Sequence, residues 1–176
     1  ARTVTDPDLA QVRDLHVRMS LELQQVFGLR REEAIKFQPA FADKGDHIKL
    51  KASWTKGGKS RDIPVRTEAQ RSVLNRARQL AGNGSLIPSA RNYRQQLRIY
   101  ERHTANAGLS KMHGLRHAYA QQRYQELTGW PAPAAGGPMS KALTAEQKQD
   151  DQAARLTISG ELGHERIQVE GIYLGN

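Results

Sequence analysis

Apolar residues at the start of the chain recur at helical spacing. Leu9, Val12, Leu15, Met19, Leu23, Val26 and Phe27 follow one another at steps of three and four, with one shorter step. That rhythm predicts one amphipathic helix, opened by Asp6-Pro7 and ending near Gly28. Arg31 to Phe37 repeats the pattern briefly and predicts a short helix or a turn into a strand, stopped by Pro39. The period then changes. His47-Ile48-Lys49-Leu50-Lys51 alternates with period two, and Arg61-Asp62-Ile63-Pro64-Val65 does so loosely. Between them lies Thr55-Lys56-Gly57-Gly58-Lys59, so a β-hairpin with lysines at its tip is expected. Pro64 places the second strand at an edge or at its end.

Thr67-x-x-Gln70 is a capping box, and it opens a helix carrying Val73, Leu74, Ala77 and Leu80, closed by Gly82. Residues 90–107 predict another helix, with Tyr93, Leu97 and Tyr100 on one face. A further helix is expected from about Gly114 to Leu127. Gly129 to Pro138 is rich in Pro, Gly and Ala and reads as a flexible excursion, extending to about residue 143. Thr144-x-x-Gln147 restarts a helix through about Ile158. Ser159-Gly160 is expected to interrupt it, before a short helix from Ile167 to Leu174. The sum is a single domain over residues 1–176, mainly α with a small antiparallel β-sheet.

Charge adds a partner to this outline. The 176 residues carry 27 Lys+Arg against 18 Asp+Glu, a formal charge of +9. Residues 129–176 hold only four of the basic side chains and six of the acidic ones, so the surplus belongs to the first two-thirds. Such a balance favours a polyanion, nucleic acid or an anionic membrane surface. There is no cysteine, which excludes disulfides, a thiolate nucleophile and cysteine-ligated metals. No apolar run approaches 18 residues, and no charged start leads into an apolar stretch. An intracellular protein is expected, and the absence of a starting methionine suggests a piece of a longer one.

Three short segments carry candidate chemistry. They are Gly28-Leu29-Arg30-Arg31-Glu32-Glu33, His113-Gly114-Leu115-Arg116-His117, and Leu162-Gly163-His164 followed nine residues later by Tyr173. With Lys56 on the hairpin, they resemble the catalytic domain of the tyrosine recombinases, the integrase family of phages and mobile elements. That family has a Gly-Leu-Arg-x-x-Glu box, a hairpin lysine, His-x-x-Arg, and Leu-Gly-His with a tyrosine nine residues on. All occur here in order, over nearly the whole chain.

The resemblance implies site-specific DNA recombination, the integration or excision of a mobile element, through a 3′-phosphotyrosyl intermediate. Breaking a phosphodiester in this way needs a nucleophile, cations on the non-bridging oxygens, and an acid for the leaving oxygen. Arg30 and Arg116 are the expected clamps, since a guanidinium donates bidentately to phosphate. Lys56 is the expected general acid and Tyr173 the nucleophile. His113, three residues before Arg116, is assigned to the scissile phosphate or to the tyrosine proton. His164 stands where the family has a His or Trp that hydrogen-bonds the phosphate. Glu33 is expected to orient the cations from behind.

Plainer readings compete at several positions. Lys59 rivals Lys56 on the same turn, but the family's lysine aligns with the first of such a pair. His113 and His117 could pair on a metal. They lack a His-Glu-x-x-His frame, so no metal and no cofactor is assigned, and His117 is read as a helix-packing residue. Tyr93 and Tyr100 read as packed aromatics. Lys59, Arg61, Arg91, Arg94 and Arg98 are expected to hold duplex DNA by its backbone, as contacts that position rather than read sequence.

The catalytic pattern starts within the first thirty residues, so the family's N-terminal core-binding domain is expected to be absent. The chain stops three residues after Tyr173. A monomer is therefore expected in isolation, assembling as a tetramer on DNA when full length, in the bacterial nucleoid and away from membranes. The tyrosine segment is expected to be mobile or displaced from the cations. Two other functions stand as alternatives: a type IB topoisomerase, which resembles the family in these residues and this chemistry, or a DNA-binding module that has lost catalysis.

Overall fold

In a computed structural model, residues 6–109, 113–164 and 170–176 are described. The expected first helix is two. A single turn, α1 (Asp6–Ala10), ends before Asp14, which caps α2 (Leu15–Phe27) by accepting 2.9 Å from the Val17 amide. An Asp side chain that satisfies an orphan amide is a helix start, and here it outweighs the unbroken apolar rhythm. Leu15, assigned by that rhythm to the apolar face, is 60 % exposed.

α2 is central because both its sides are buried. Met19, Leu23 and Phe27 enter the main core, while Val17 and Leu21 enter a smaller one with Tyr100, Leu109 and Leu115. Next come α3 (Arg31–Lys36) and the single turn α4 (Pro39–Ala42). Pro39 does more than stop α3. It supplies the first residue of α4, where a missing amide costs nothing.

The hairpin pairs β1 (His47–Leu50) with β2 (Arg61–Pro64), antiparallel, with Ile48 opposite Ile63 and Leu50 opposite Arg61. Ile48, Leu50 and Ile63 are fully buried, and Pro64 sits at the strand end. The connection is wider than a tight turn. A 3₁₀ turn at Ala52–Trp54 anchors Trp54 in the core, and Lys56 lies exposed on the loop beyond it.

Then follow α5 (Glu68–Ala81), α6 (Tyr93–Asn106), α7 (His113–Thr128), α8 (Ala145–Leu162) and α9 (Glu170–Leu174). Reciprocal capping boxes at Thr67, Asn92 and Thr144 open α5, α6 and α8. Ser159-Gly160 does not interrupt α8. Ile158, Ser159, Glu161 and Leu162 are all buried, and that packing carries the helix through the glycine. Of the expected Ile167–Leu174 helix, residues 167–169 lie outside the described set.

In the stretch 129–143, expected to be a flexible excursion, residues 134–136 and 138–142 are exposed, while Trp130, Ala132 and Leu143 pack inward. Ala132 is fully buried in the main core, and Trp130 meets Tyr124 edge-on at 6.3 Å. The Trp130 indole donates to the Tyr124 hydroxyl at 3.2 Å, and that hydroxyl donates to Asp151 at 2.5 Å. Two 3₁₀ turns, Pro133–Ala135 and Ser140–Ala142, shape the remainder.

Candidate active site

The Gly-Leu-Arg-x-x-Glu box is a junction between two helices. Gly28 closes α2 and its carbonyl accepts 2.8 Å from Arg116 Nε. Leu29 is fully buried and fixes the path of the chain. Arg30 precedes α3, and its amide donates 2.8 Å to the Glu33 carboxylate, which reaches back one turn. Backbone geometry thus sets where Arg30 and Glu33 stand relative to each other.

Three guanidiniums from three elements meet the last carbonyls of α8. Arg61 Nε donates to Glu161 O at 2.9 Å, Arg116 Nη2 to Leu162 O at 2.5 Å, and Arg30 Nη2 to Gly163 O at 3.4 Å. The end of a helix offers unpaired carbonyls and a negative dipole, so it is a natural holder for cations. Gly163 makes the meeting possible. Its φ of 75° is left-handed, and a Cβ there would lie 3.0 Å from both Arg30 Nη1 and Arg61 Nη1.

Glu33 is 0 % exposed and balances this charge. Arg61 grips its two oxygens at 2.5 and 2.8 Å, while Arg30 Nη1 reaches it only at 3.5 Å. Burial alone would raise the Glu33 carboxyl. The hydrogen bonds and charge of Arg61 outweigh that and hold it below the ordinary carboxylate value. Arg61 corrects the sequence reading. It was grouped with backbone-binding residues, but its side chain is 9 % exposed and its donors are occupied inside the site. The Arg-x-x-Pro alternation around residue 61 signals a strand and gives no hint of this role.

Arg116 sits on the buried face of α7 beside Leu115, Tyr119 and Ala120. Burial, and then the neighbouring Arg30 charge, push its guanidinium down to about 10, still cationic at neutral pH. Tyr173 lies under it, with Arg116 Cζ 5.7 Å from the ring centroid. The tyrosine is 8 % exposed and stacks on His164 at 5.4 Å and 22°. On another side it meets the ring of His117 at 4.6 Å. The expectation of a displaced tyrosine segment is therefore corrected: two imidazoles, Arg116 and α7 hold the ring in place. His117 packs as expected, but its packing partner is Tyr173.

Arg30, Lys56, Arg116, His164 and Tyr173 line one open cleft of about 1090 Å³. Its far wall is α6, through Tyr93, Tyr100 and Thr104. Tyr100 is a packed aromatic as expected, donating to Gln24 at 2.7 Å. His113 opens α7, but its side chain lies outside the described residues. Arg94 and Arg98 are exposed on α6, Lys59 is exposed on the hairpin, and Arg91 is half-buried, donating to Gln96 at 3.0 Å. Among the described residues, no cluster of three His, Asp or Glu is arranged to hold a metal ion. No helix among them is long and apolar enough to cross a membrane.

A family profile described as Integrase matches residues 2–122. The chain belongs to the integrase family. This integrase shares its fold with the catalytic domain of bacteriophage HP1 integrase, at 16 % identity and a TM-score of 0.55, over 97 % of this chain and 85 % of that one. It is similar to a lambda integrase dimer bound to a COC′ core site, at 18 % identity and a TM-score of 0.60, over 98 % and 47 %. It also resembles XerH site-specific recombinase bound to difH substrate, at 17 % identity and a TM-score of 0.54, over 98 % and 50 %. The integrase thus spans about half the length of the XerH and lambda chains. No curated protein sequence matches it. The fold is that of tyrosine recombinase catalytic domains: mainly helical, with one small antiparallel sheet. The profile match ends before Gly163, His164 and Tyr173, so their place in the site rests on their own geometry.

Proposed function

We propose that this integrase is the catalytic domain of a site-specific recombinase that cuts and rejoins duplex DNA through a 3′-phosphotyrosyl intermediate. The observation that carries the reading is the convergence of Tyr173, Arg116, Arg30, His164 and Lys56 on one cleft. Tyr173 Oη attacks phosphorus, and the bond from phosphorus to the 5′-oxygen breaks. Arg30 and Arg116 hold the non-bridging oxygens as negative charge grows on them, with His164 hydrogen-bonding beside them. Lys56 protonates the departing 5′-oxygen, and the phenol proton passes to His113, a role that rests on the sequence pattern. The phosphotyrosyl bond stores the phosphodiester energy, so attack by a 5′-hydroxyl reverses each step without a nucleotide cofactor.

The XerH and lambda proteins are held on DNA in their structures, which supports duplex DNA as the partner here. Exposed Lys59, Arg94 and Arg98, with Arg91, extend a basic surface for the backbone. In this reading a full-length protein assembles as a tetramer on DNA of a mobile element in the nucleoid, and the isolated domain is a monomer. The test is a library of nicked duplexes randomised around the nick. The chain is expected to form a denaturant-resistant protein–DNA adduct that Tyr173→Phe abolishes. DNA binding with no adduct would favour a module without catalysis. Relaxation of supercoiled plasmid without site preference would favour a topoisomerase.

A further inference from the structure

We propose that residues 129–143 form an intramolecular dock for residues 174–176, and that this dock fixes Tyr173 in the cleft. The inference rests on the recombinase reading of Tyr173. It begins from a weakness: α9 has five residues, far too few to be stable alone. Something outside the helix must hold it.

The contacts that do so converge just past the tyrosine. Leu174 is fully buried in the main core. The Gly175 carbonyl accepts 2.7 Å from Arg155 Nη2. Arg155 is itself braced, with Nε donating to both Asp151 oxygens at 3.1 and 3.2 Å and its guanidinium 5.7 Å from the Tyr124 ring centroid. From the 129–143 stretch, the Ser140 amide donates to the Asn176 carbonyl at 2.9 Å. The turn at Pro133–Ala135 presses on Gly175 so closely that a Cβ there would lie 3.1 Å from the Ala134 amide nitrogen. On the other side of the helix, Gln121 Nε2 donates to the Tyr173 carbonyl at 3.2 Å.

The dock is anchored at its base. Buried Ala132 and the Trp130–Tyr124–Asp151 chain tie its base to α7 and α8. Asp151 also braces Arg155, so one carboxylate links the dock's base to the anchor of residues 174–176. Without these contacts a short helix would sample many positions, and a displacement of about 1 Å at the nucleophile costs about a hundredfold in rate.

The chain has no cysteine, which allows a clean test. Ser140→Cys with Asn176→Cys introduces one pair, at residues whose backbones already meet through a 2.9 Å hydrogen bond. The expected result is an intramolecular disulfide under mild oxidation, with adduct formation on the nicked-duplex library within about twofold of the reduced form. Arg155→Gln is expected to lower the adduct rate about a hundredfold while DNA binding holds. Oxidising the cysteine pair in that background should restore the rate, which a merely structural role for Arg155 would not predict. Failure of the disulfide to form, loss of adduct on oxidation, or an inert Arg155→Gln would each overturn the dock. If the parent chain makes no adduct at all, the recombinase reading fails, and disulfide yield alone then decides whether the tail is docked.

Discussion

Arg61 and Glu33 form a two-pronged ion pair in the floor of the cleft, at 2.5 and 2.8 Å, with the carboxylate fully buried. Because Arg61 occupies both oxygens, the Arg30 guanidinium has one long contact to Glu33, beside its 3.4 Å bond to the Gly163 carbonyl, and its side chain remains 23 % exposed. Arg61 thereby leaves the Arg30 guanidinium open to the cleft. Arg61→Ala strands a buried charge and is expected to destabilise the fold by about 3–5 kcal/mol in denaturant unfolding. Replacing Glu33 by Gln in the same chain should recover part of that loss. Simple additivity of the two changes would show that the pair is not coupled.

Acid should weaken this pair in a predictable window. A carboxyl held below its ordinary value contributes stability that is complete above that value, 4.5, and is lost as pH falls through the lowered folded value. Thermal unfolding of the parent and of Glu33→Gln should therefore differ most near neutrality and converge in acid. A gap that stays constant from pH 7 to pH 3 would assign the stability to another group.

Arg30 and Arg116 separate chemistry from folding. Arg30→Ala removes a partly exposed guanidinium and is expected to cut adduct formation by about 10²–10³-fold with little change in unfolding temperature. Arg116→Ala should lose both, because Arg116 is buried against Gly28 and Leu162 carbonyls. Equal thermal losses in the two variants would contradict this division.

Lys56 and Lys59 share one exposed loop, but only Lys56 lines the cleft. Lys56→Ala is expected to slow adduct formation about 10²–10⁴-fold, the usual contribution of a general acid. A duplex with sulfur in place of the bridging 5′-oxygen needs no protonation and should restore the rate. Lys59→Ala should slow the reaction little and instead weaken binding. The opposite ranking would move the acid to Lys59.

Arg94 and Arg98 are expected to act as backbone contacts. Replacing either with Gln should reduce the slope of log affinity against log salt by about one, uniformly across DNA sequences. An effect confined to particular sequences would make that arginine a base reader.

Part of the candidate site was legible because some of its residues are also local structure. Gly28 and Glu33 mark a helix end and a helix start, so their spacing survives in the sequence as a box. Capping boxes at Thr67 and Thr144 announced α5 and α8 for the same reason. Arg61 was misread because its partners, Glu33 and the Glu161 carbonyl, are 28 and 100 residues away. The burial of Ala132 escaped for a similar cause. Pro and Gly reveal that a segment is neither helix nor strand, but not that one of its residues enters the main core. The break at Asp14 was hidden by an apolar rhythm that continues across it.

Leu162-Gly163-His164 reads along the chain as a three-letter signature. In space its middle letter leaves less room than one methyl group needs, with Arg30 and Arg61 at its rim. A side chain there would press on both guanidiniums and drive them apart. The missing methyl thus sets how tightly these cations can gather at the end of α8.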